Sequence, residues 1–217
     1  MLTIYAIAKR MLSSNKISFI VTAAVVLCAT TSGNTGIALS NGNYTWLLAL
    51  MAPFFVVFYD YAKLVHLGTS KRDYFIGSLV SYTLLAVLIS FANTVIYLLI
   101  DPLNKTQTVV NLIELCGWNA NGIFVAFFQQ TLFLLLVMIF LHVLLFMQPY
   151  WYGWLTDILL ITVICIFTPI ASLRQVLVGF FRLIMFNPSA LLHSALCLFL
   201  SAALALGSLL ILKRKAS

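Results

Sequence analysis

Long apolar runs follow one another along this chain, and the charges that occur are gathered into short islands between them. That alternation restricts the fold more than any motif. A backbone surrounded by hydrocarbon has to satisfy its N–H and C=O groups internally, and so crosses as a helix or within a closed barrel. Helical crossings take about 20 apolar residues each, which is the length of these runs. Composition agrees: 63% of the 217 residues are hydrophobic and 8% charged, with a mean hydropathy of +1.10, whereas a soluble domain is about a quarter charged. The expected fold is an all-α membrane protein, one transmembrane domain over residues 1–217 with six transmembrane helices and no soluble catalytic domain.

Residues 1–16 are too short and too charged to cross. On a helical wheel Ile4, Tyr5, Ile7, Ala8, Met11 and Leu12 share one face and Thr3, Lys9, Arg10 and Ser13 the other, which predicts an N-terminal amphipathic helix in the membrane interface, its basic side toward anionic headgroups. Lys9, Arg10 and Lys16 interrupt the stretch and no small-residue cleavage site follows, so it is not expected to be a removed signal peptide. Crossings are expected over 17–33, 46–61, 76–100, 123–147, 155–170 and 190–212. Turn residues separate them at Ser32-Gly33-Asn34 and Ser40–Asn43, at Asp101-Pro102, at Asn119–Gly122, in the aromatic turn Gln148–Trp154, and at Asn187-Pro188. Pro53 predicts a kink in the second crossing. Leu112, Ile113, Leu115 and Trp118 are expected to rest part of the 101–122 loop on the bundle as a short surface helix.

Residues 172–188 place Arg174, Gln175, Gly179 and Arg182 on one helical face and Leu173, Val176, Leu177, Phe180, Leu183 and Ile184 around the other. This is the pattern of a semi-embedded outer segment, re-entrant or interfacial, between the fifth and sixth crossings. With both termini inside, Lys9, Arg10, Lys16, Lys63, Lys71, Arg72, Lys213, Arg214 and Lys215 are cytoplasmic, against Lys105, Arg174 and Arg182 outside. That imbalance follows the positive-inside rule and accounts for the net charge of +7 without a nucleic-acid partner.

Chemistry-bearing patterns are sparse. Cys28, Cys116, Cys165 and Cys197 have no Cys-x-x-Cys spacing and support neither a disulfide framework nor a metal site. The sequence contains no phosphate-binding loop, H-E-x-x-H, G-x-S-x-G or dinucleotide fingerprint. His66, His142 and His193 are far apart, and His142 and His193 are expected to be hydrogen-bonded packing residues. Asp60 and Lys63, on one helical face, are expected to form an ion pair at the cytoplasmic end of the second crossing. The expectation is a non-enzymatic chain without a cofactor of its own, whose source of energy, if it moves a solute, is external.

The densest charged island is Leu67-Gly68-Thr69-Ser70-Lys71-Arg72-Asp73-Tyr74-Phe75-Ile76-Gly77, between the second and third crossings. As a solvated loop it would simply fix topology. A short helix over 64–76 with Lys71, Arg72 and Asp73 exposed and Tyr74 and Phe75 free to fill a groove is instead suited to docking on another protein. The order of elements, together with the pattern L-G-x-S-x-R-D-x-F-x-G, resembles the permease subunits of the type-2 ABC exporter family. The resemblance covers the whole chain in topology and Leu67–Gly77 in sequence.

It implies that 64–76 is a coupling helix seated on a cytoplasmic ATP-binding cassette subunit through Gly68, Ser70, Lys71, Arg72, Asp73, Tyr74, Phe75 and Gly77, with ATP and Mg held by that partner. It further implies a second permease subunit, identical or related, and a path for an amphipathic or hydrophobic substrate such as a peptide, lipid or drug. The setting implied is a bacterial cell membrane, with the chain multi-pass and both termini cytoplasmic. The second cytoplasmic turn, Gln148-Pro149-Tyr150-Trp151, lacks the basic residues often found there in the family. A different class of function, a non-transporting accessory or immunity-type membrane protein, would need no ATPase. An intramembrane enzyme is disfavoured by the missing acid, His and metal clusters.

Overall fold

A computed structural model describes residues 4–29, 37–103 and 108–214. The expected turn at Ser32–Asn34, outer Lys105 and terminal Lys215 lie outside the described residues, as does Thr3. Helix α1 (Ile4–Ser14) is followed at Asn15 by α2 (Lys16–Cys28), the two axes meeting at 47°. Asn15 is buried and its Nδ2 donates to the Met11 carbonyl at 2.8 Å, so a side chain satisfies backbone at the bend.

The wheel reading of α1 holds in part: Ile7, Ala8 and Met11 are buried and Lys9, Arg10 and Ser13 exposed, but Ile4 and Tyr5, on the expected apolar face, are exposed as well. What covers the apolar face differs from expectation, because it lies on the chain's own third long helix, α5 (Lys71–Val95). Ile7 sits over Gly77, where an added Cβ would come 2.5 Å from Ile7 Cγ2. The Ser78 and Ser81 hydroxyls lie 3.8 and 3.6 Å from Met11 Sδ.

After strand β1 (Ile37–Leu39) and a 3-10 turn over Asn41–Thr45, α3 (Trp46–Phe54) passes through a π-helical turn, Phe55–Asp60, into α4 (Tyr61–His66). The distortion expected from Pro53 therefore appears as a widened turn just beyond it. A proline has no N–H to give to the preceding turn, and the ladder re-forms in a different register. The Val56 carbonyl accepts from the Tyr61 N–H and also from the Tyr74 hydroxyl, at 3.0 Å.

Helix α5 likewise ends in a π-helical turn, Ile96–Ile100. Strand β2 (Thr108–Val110) pairs in parallel with β1, and α6 (Leu112–Leu115) is the short surface helix anticipated in this loop. Helix α7 (Ile123–Met147) matches the fourth expected crossing, and α10 (Ala190–Arg214) begins where the sixth was placed. Between them α8 (Trp151–Phe167) and α9 (Ala171–Ile184) are bent by 120°, in keeping with a re-entrant hairpin.

Among the described residues, Asn41–His66, Lys71–Leu103, Ile123–Met147 and Ala190–Leu212 are long and apolar enough to cross a membrane, and counting each bent pair as one span raises the total from four to six. The chain is thus mostly helical, with the character of a multi-pass membrane protein. Its main core joins α1, α3, α4, α5, α7 and α10 through Met11, Ala52, Leu64, Tyr74, Met138 and Leu212. Helix α8 buries only Gly153, where it meets the Met147 carbonyl, and exposes Trp154, Ile158 and Ile161. Such an apolar surface suits lipid contact.

The close seat of α1 on α5 generates a prediction. Gly77→Ala should destabilise the protein by about 1–3 kcal/mol through overpacking against Ile7, despite the better helix propensity of alanine. Adding Ile7→Ala should recover part of that loss, which denaturant unfolding of both variants in detergent will measure.

Candidate functional site

The Leu67–Gly77 stretch is a turn built by two capping devices. Helix α4 closes in a Schellman arrangement: the Thr69 N–H donates to the Leu64 carbonyl and the Gly68 N–H to that of Val65, both at 3.0 Å. This requires the left-handed conformation that Gly68 adopts at φ +79. Leu64 and Thr69 are both buried beneath it. Ser70, extended at φ −66 and ψ 149, then caps α5, its Oγ accepting from the Asp73 N–H at 3.0 Å. Asp73 lies in the first helical turn, where a carboxylate is favoured by the helix dipole.

The local structure therefore departs from a separate short helix over 64–76. Helix α4 stops at His66, and everything from Lys71 onward belongs to the long helix α5. The Ser70 cap is the cause, because it satisfies the first free amides of α5 five residues before the expected start of the crossing at Ile76.

The eight expected contact residues separate accordingly. Gly68, Ser70 and Arg72 are exposed, and Lys71 and Asp73 are half-buried. Tyr74 and Phe75 are buried, at 0% and 4% exposure, so neither is free to fill a partner's groove. The Tyr74 ring meets Tyr61 edge-on at 5.0 Å while its hydroxyl holds Val56. Gly77 is covered by Ile7. The accessible part of the stretch is Leu67–Asp73 apart from the buried Thr69, and Arg72 is its one ionic side chain in the exposed class. Lys9, Arg10 and Lys16 are exposed on the neighbouring α1 and α2, and His66 at the end of α4. With Arg72, this end of the bundle thus presents Lys and Arg side chains from α1, α2 and α5.

Asp60 corrects the expected ion pair with Lys63. Its side chain is completely buried, and its Oδ1 accepts from Ser14 Oγ at 2.6 Å. The Lys63 ammonium instead lies 3.2 Å from the centroid of the Tyr59 ring. The reason is tertiary: the end of α1 reaches Asp60 and supplies a donor that local spacing does not reveal. Asp60 Oδ2 has no hydrogen-bond partner.

His142 packs as expected. Its Nδ1 lies 2.7 Å from the Tyr82 hydroxyl, and Phe146 stacks on its ring at 5.8 Å and 4°. Among the described residues no three His, Cys, Asp or Glu side chains converge as a metal ion would require, and the described cysteines are all free.

At the opposite end a polar cluster secures the loops. Asn111 Nδ2 lies 3.0 Å from both Ser40 Oγ and Asn93 Oδ1, and Ser40 Oγ donates to Asp101 Oδ1 at 2.9 Å. Neither this cluster nor Ser14 and Asp60 were singled out as site residues from the sequence. Asn93 within a crossing and Asp60 within an apolar run were the only signals.

Capping and exposure make separable demands on the turn. Gly68→Ala should cost about 1 kcal/mol for a side chain held at positive φ, and Ser70→Ala about 1 kcal/mol for the lost cap. Arg72→Ala should change unfolding in detergent by about 0.5 kcal/mol or less. Comparison of the chain with family models, curated proteins and solved structures finds no match.

Proposed function

We propose that this chain is the membrane-spanning subunit of an ATP-driven exporter of the type-2 ABC kind, and that the Leu67–Asp73 turn is where a separate cytoplasmic ATP-binding subunit docks. A second permease subunit, the same chain or a related one, completes the path for an amphipathic or hydrophobic cargo. On this reading α2 and α8 belong to the first and fifth crossings, α1 lies in the inner interface and α9 is the semi-embedded outer segment, giving six crossings with both termini cytoplasmic.

The observation that carries the reading is the contrast between the tip of the turn and its foundations. Arg72 projects from a turn whose flanking helices are fixed by the α4 cap, the Ser70 cap, the Tyr74–Val56 bond and the Ile7–Gly77 contact. A load applied there is passed to α5, which runs unbroken for 25 residues, and through α1 and Tyr74 to the second span. Nucleotide-driven closure of the partner would thereby displace several spans together, as rigid-body transitions require. The 120° bend between α8 and α9, just before the last span, adds support from the order of elements.

The test replaces Arg72 with Glu, which leaves every buried contact in place. Co-purification with the candidate ATP-binding subunit should fall by about tenfold or more, as expected when a charge anchor is reversed at an interface. Thermal stability of the isolated chain should stay unchanged. Full retention of both complex formation and transport would refute the docking role.

A further inference from the structure

The end of the bundle away from Leu67–Asp73 is closed by the segment between β2 and α7, and Trp118 is its innermost residue. The Trp118 ring is fully buried, stacked on Trp46 at 6.3 Å and 20°, and lies 6.0 Å from Phe133 and 5.4 Å from His193. Its Nε1 donates to the Met185 carbonyl at 3.0 Å. Helices α3, α7 and α10 thus form three aromatic walls, and the residue just past α9 places an acceptor at the rim.

Trp118 leaves this seat incompletely satisfied. Trp46 Nε1 and Gln129 Nε2 are buried without a partner, and Gln129, completely buried, uses only its Oε1, which accepts from Asn121 at 3.3 Å. Two idle donors beside an aromatic box favour a ligand that brings carbonyl oxygens along with its ring. Trp46, Phe133, His193 and Met185, which meet Trp118, include no carboxylate, lysine or arginine, so the fitting group is uncharged.

Two glycines flank the segment and leave it free of side-chain obstruction at either end. Trp118–Asn121 form a 3-10 turn bracketed by Gly117 at φ +73 and Gly122 at φ +86, both glycines with nothing within 4 Å of where a Cβ would stand. Beyond its ring contacts the turn is held by the Trp118–Met185 bond and by Asn121 Nδ2, which donates to the Pro188 carbonyl at 2.9 Å and to Gln129.

We propose that the Trp46–Phe133–His193 seat is a binding site for an uncharged aromatic group with a hydrogen-bond donor on its edge, an indole or phenol side chain of a peptide, and that Trp118 is the internal occupant such a ligand displaces. Rotation at Gly117 and Gly122 lifts Trp118 out. The ligand's ring takes its place and its N–H or O–H takes the Met185 carbonyl, while adjacent amide carbonyls accept from Trp46 Nε1 and Gln129 Nε2. The site lies in this chain alone and needs no ATPase, so its success or failure is independent of the docking role of Arg72.

Cys116 provides the readout. It is 3% exposed beneath the same segment, and burial pushes its thiol up to about 12, so it is protonated and shielded while the segment is down. The experiment uses the full chain in lipid nanodiscs, with the exposed Cys28 and Cys165 changed to serine and maleimide labelling of Cys116 followed by peptide mass spectrometry. N-acetyl-tryptophanamide should raise the labelling rate by about tenfold through a shift toward the lifted state, and N-acetyl-leucinamide should not. Trp118→Leu removes the internal competitor and should bind the tryptophan probe about tenfold more tightly. No acceleration by the tryptophan probe, an equal effect of the leucine probe, or unchanged affinity in Trp118→Leu would each overturn the proposal. If Trp118→Leu does not fold, Phe133→Leu decides, since it should abolish the response to the probe and a retained response overturns the site.

Discussion

Among lipid tails there is no water to receive a stray amide or hydroxyl, and the arrangement of this bundle follows from where its polar groups find partners. Several hydroxyls within the helices turn back on their own backbone: Ser78 to Tyr74, Ser81 to Gly77, Thr83 to Leu79 and Thr131 to Phe127. Such bonds cost nothing in topology and tie nothing together. The few that reach across elements are therefore the ones that set the architecture. Ser14 to Asp60 fixes the end of α1 to the second span, Tyr74 to Val56 fixes α5 to the same span, and Tyr82 to His142 fixes α5 to α7. At the far end Asn111 gathers Ser40, Asn93 and Asp101 into one clasp under the short parallel strands.

The turn between α4 and α5 shows how many structural demands one short sequence can meet. Gly68 ends a helix, Ser70 and Asp73 begin one, Tyr74 and Phe75 fill the core, and Gly77 admits α1. Each of these has a local duty that would hold its residue type in place without any partner. Arg72 is exposed and has no such local duty among the described residues, which is why the proposed docking role rests on it.

Much of the architecture was legible in the sequence because hydrocarbon thickness and helical rise act on long runs. Helix α7, uninterrupted from Ile123 to Met147, was placed to the residue, and the onset of α10 likewise. The start of α5 was not, since the charges at Lys71–Asp73 suggested a separate short helix over 64–76 although Ser70 and Asp73 already carried the signature of a cap. For α1 the wheel found the buried Ile7, Ala8 and Met11 but grouped the exposed Ile4 and Tyr5 with them, and it could not say what would cover the face, because amphipathicity specifies a face and not a partner. Asp60 shows the same limit: its spacing pointed to Lys63, and its actual partner, Ser14, lies 46 residues away. Trp118 was expected on the bundle surface, yet its aromatic walls come from three helices that only tertiary packing assembles.

The π-helical turn at Phe55–Asp60 holds one more residue than an α-helical turn at the same place would need. Migration of that surplus residue past Lys63 would turn the residues it passes by about 100° around the helix axis, while those beyond its new place would keep their faces. Asp60 would then rotate out from beneath Ser14, and Lys63 would sweep away from the face it now occupies. The Tyr74 hydroxyl, bonded to the Val56 carbonyl inside this turn, stands where such a migration would begin. Tyr74 therefore ties α5 to a place in the second span where the helical ladder carries slack, and the buried carboxylate of Asp60 belongs to that same turn.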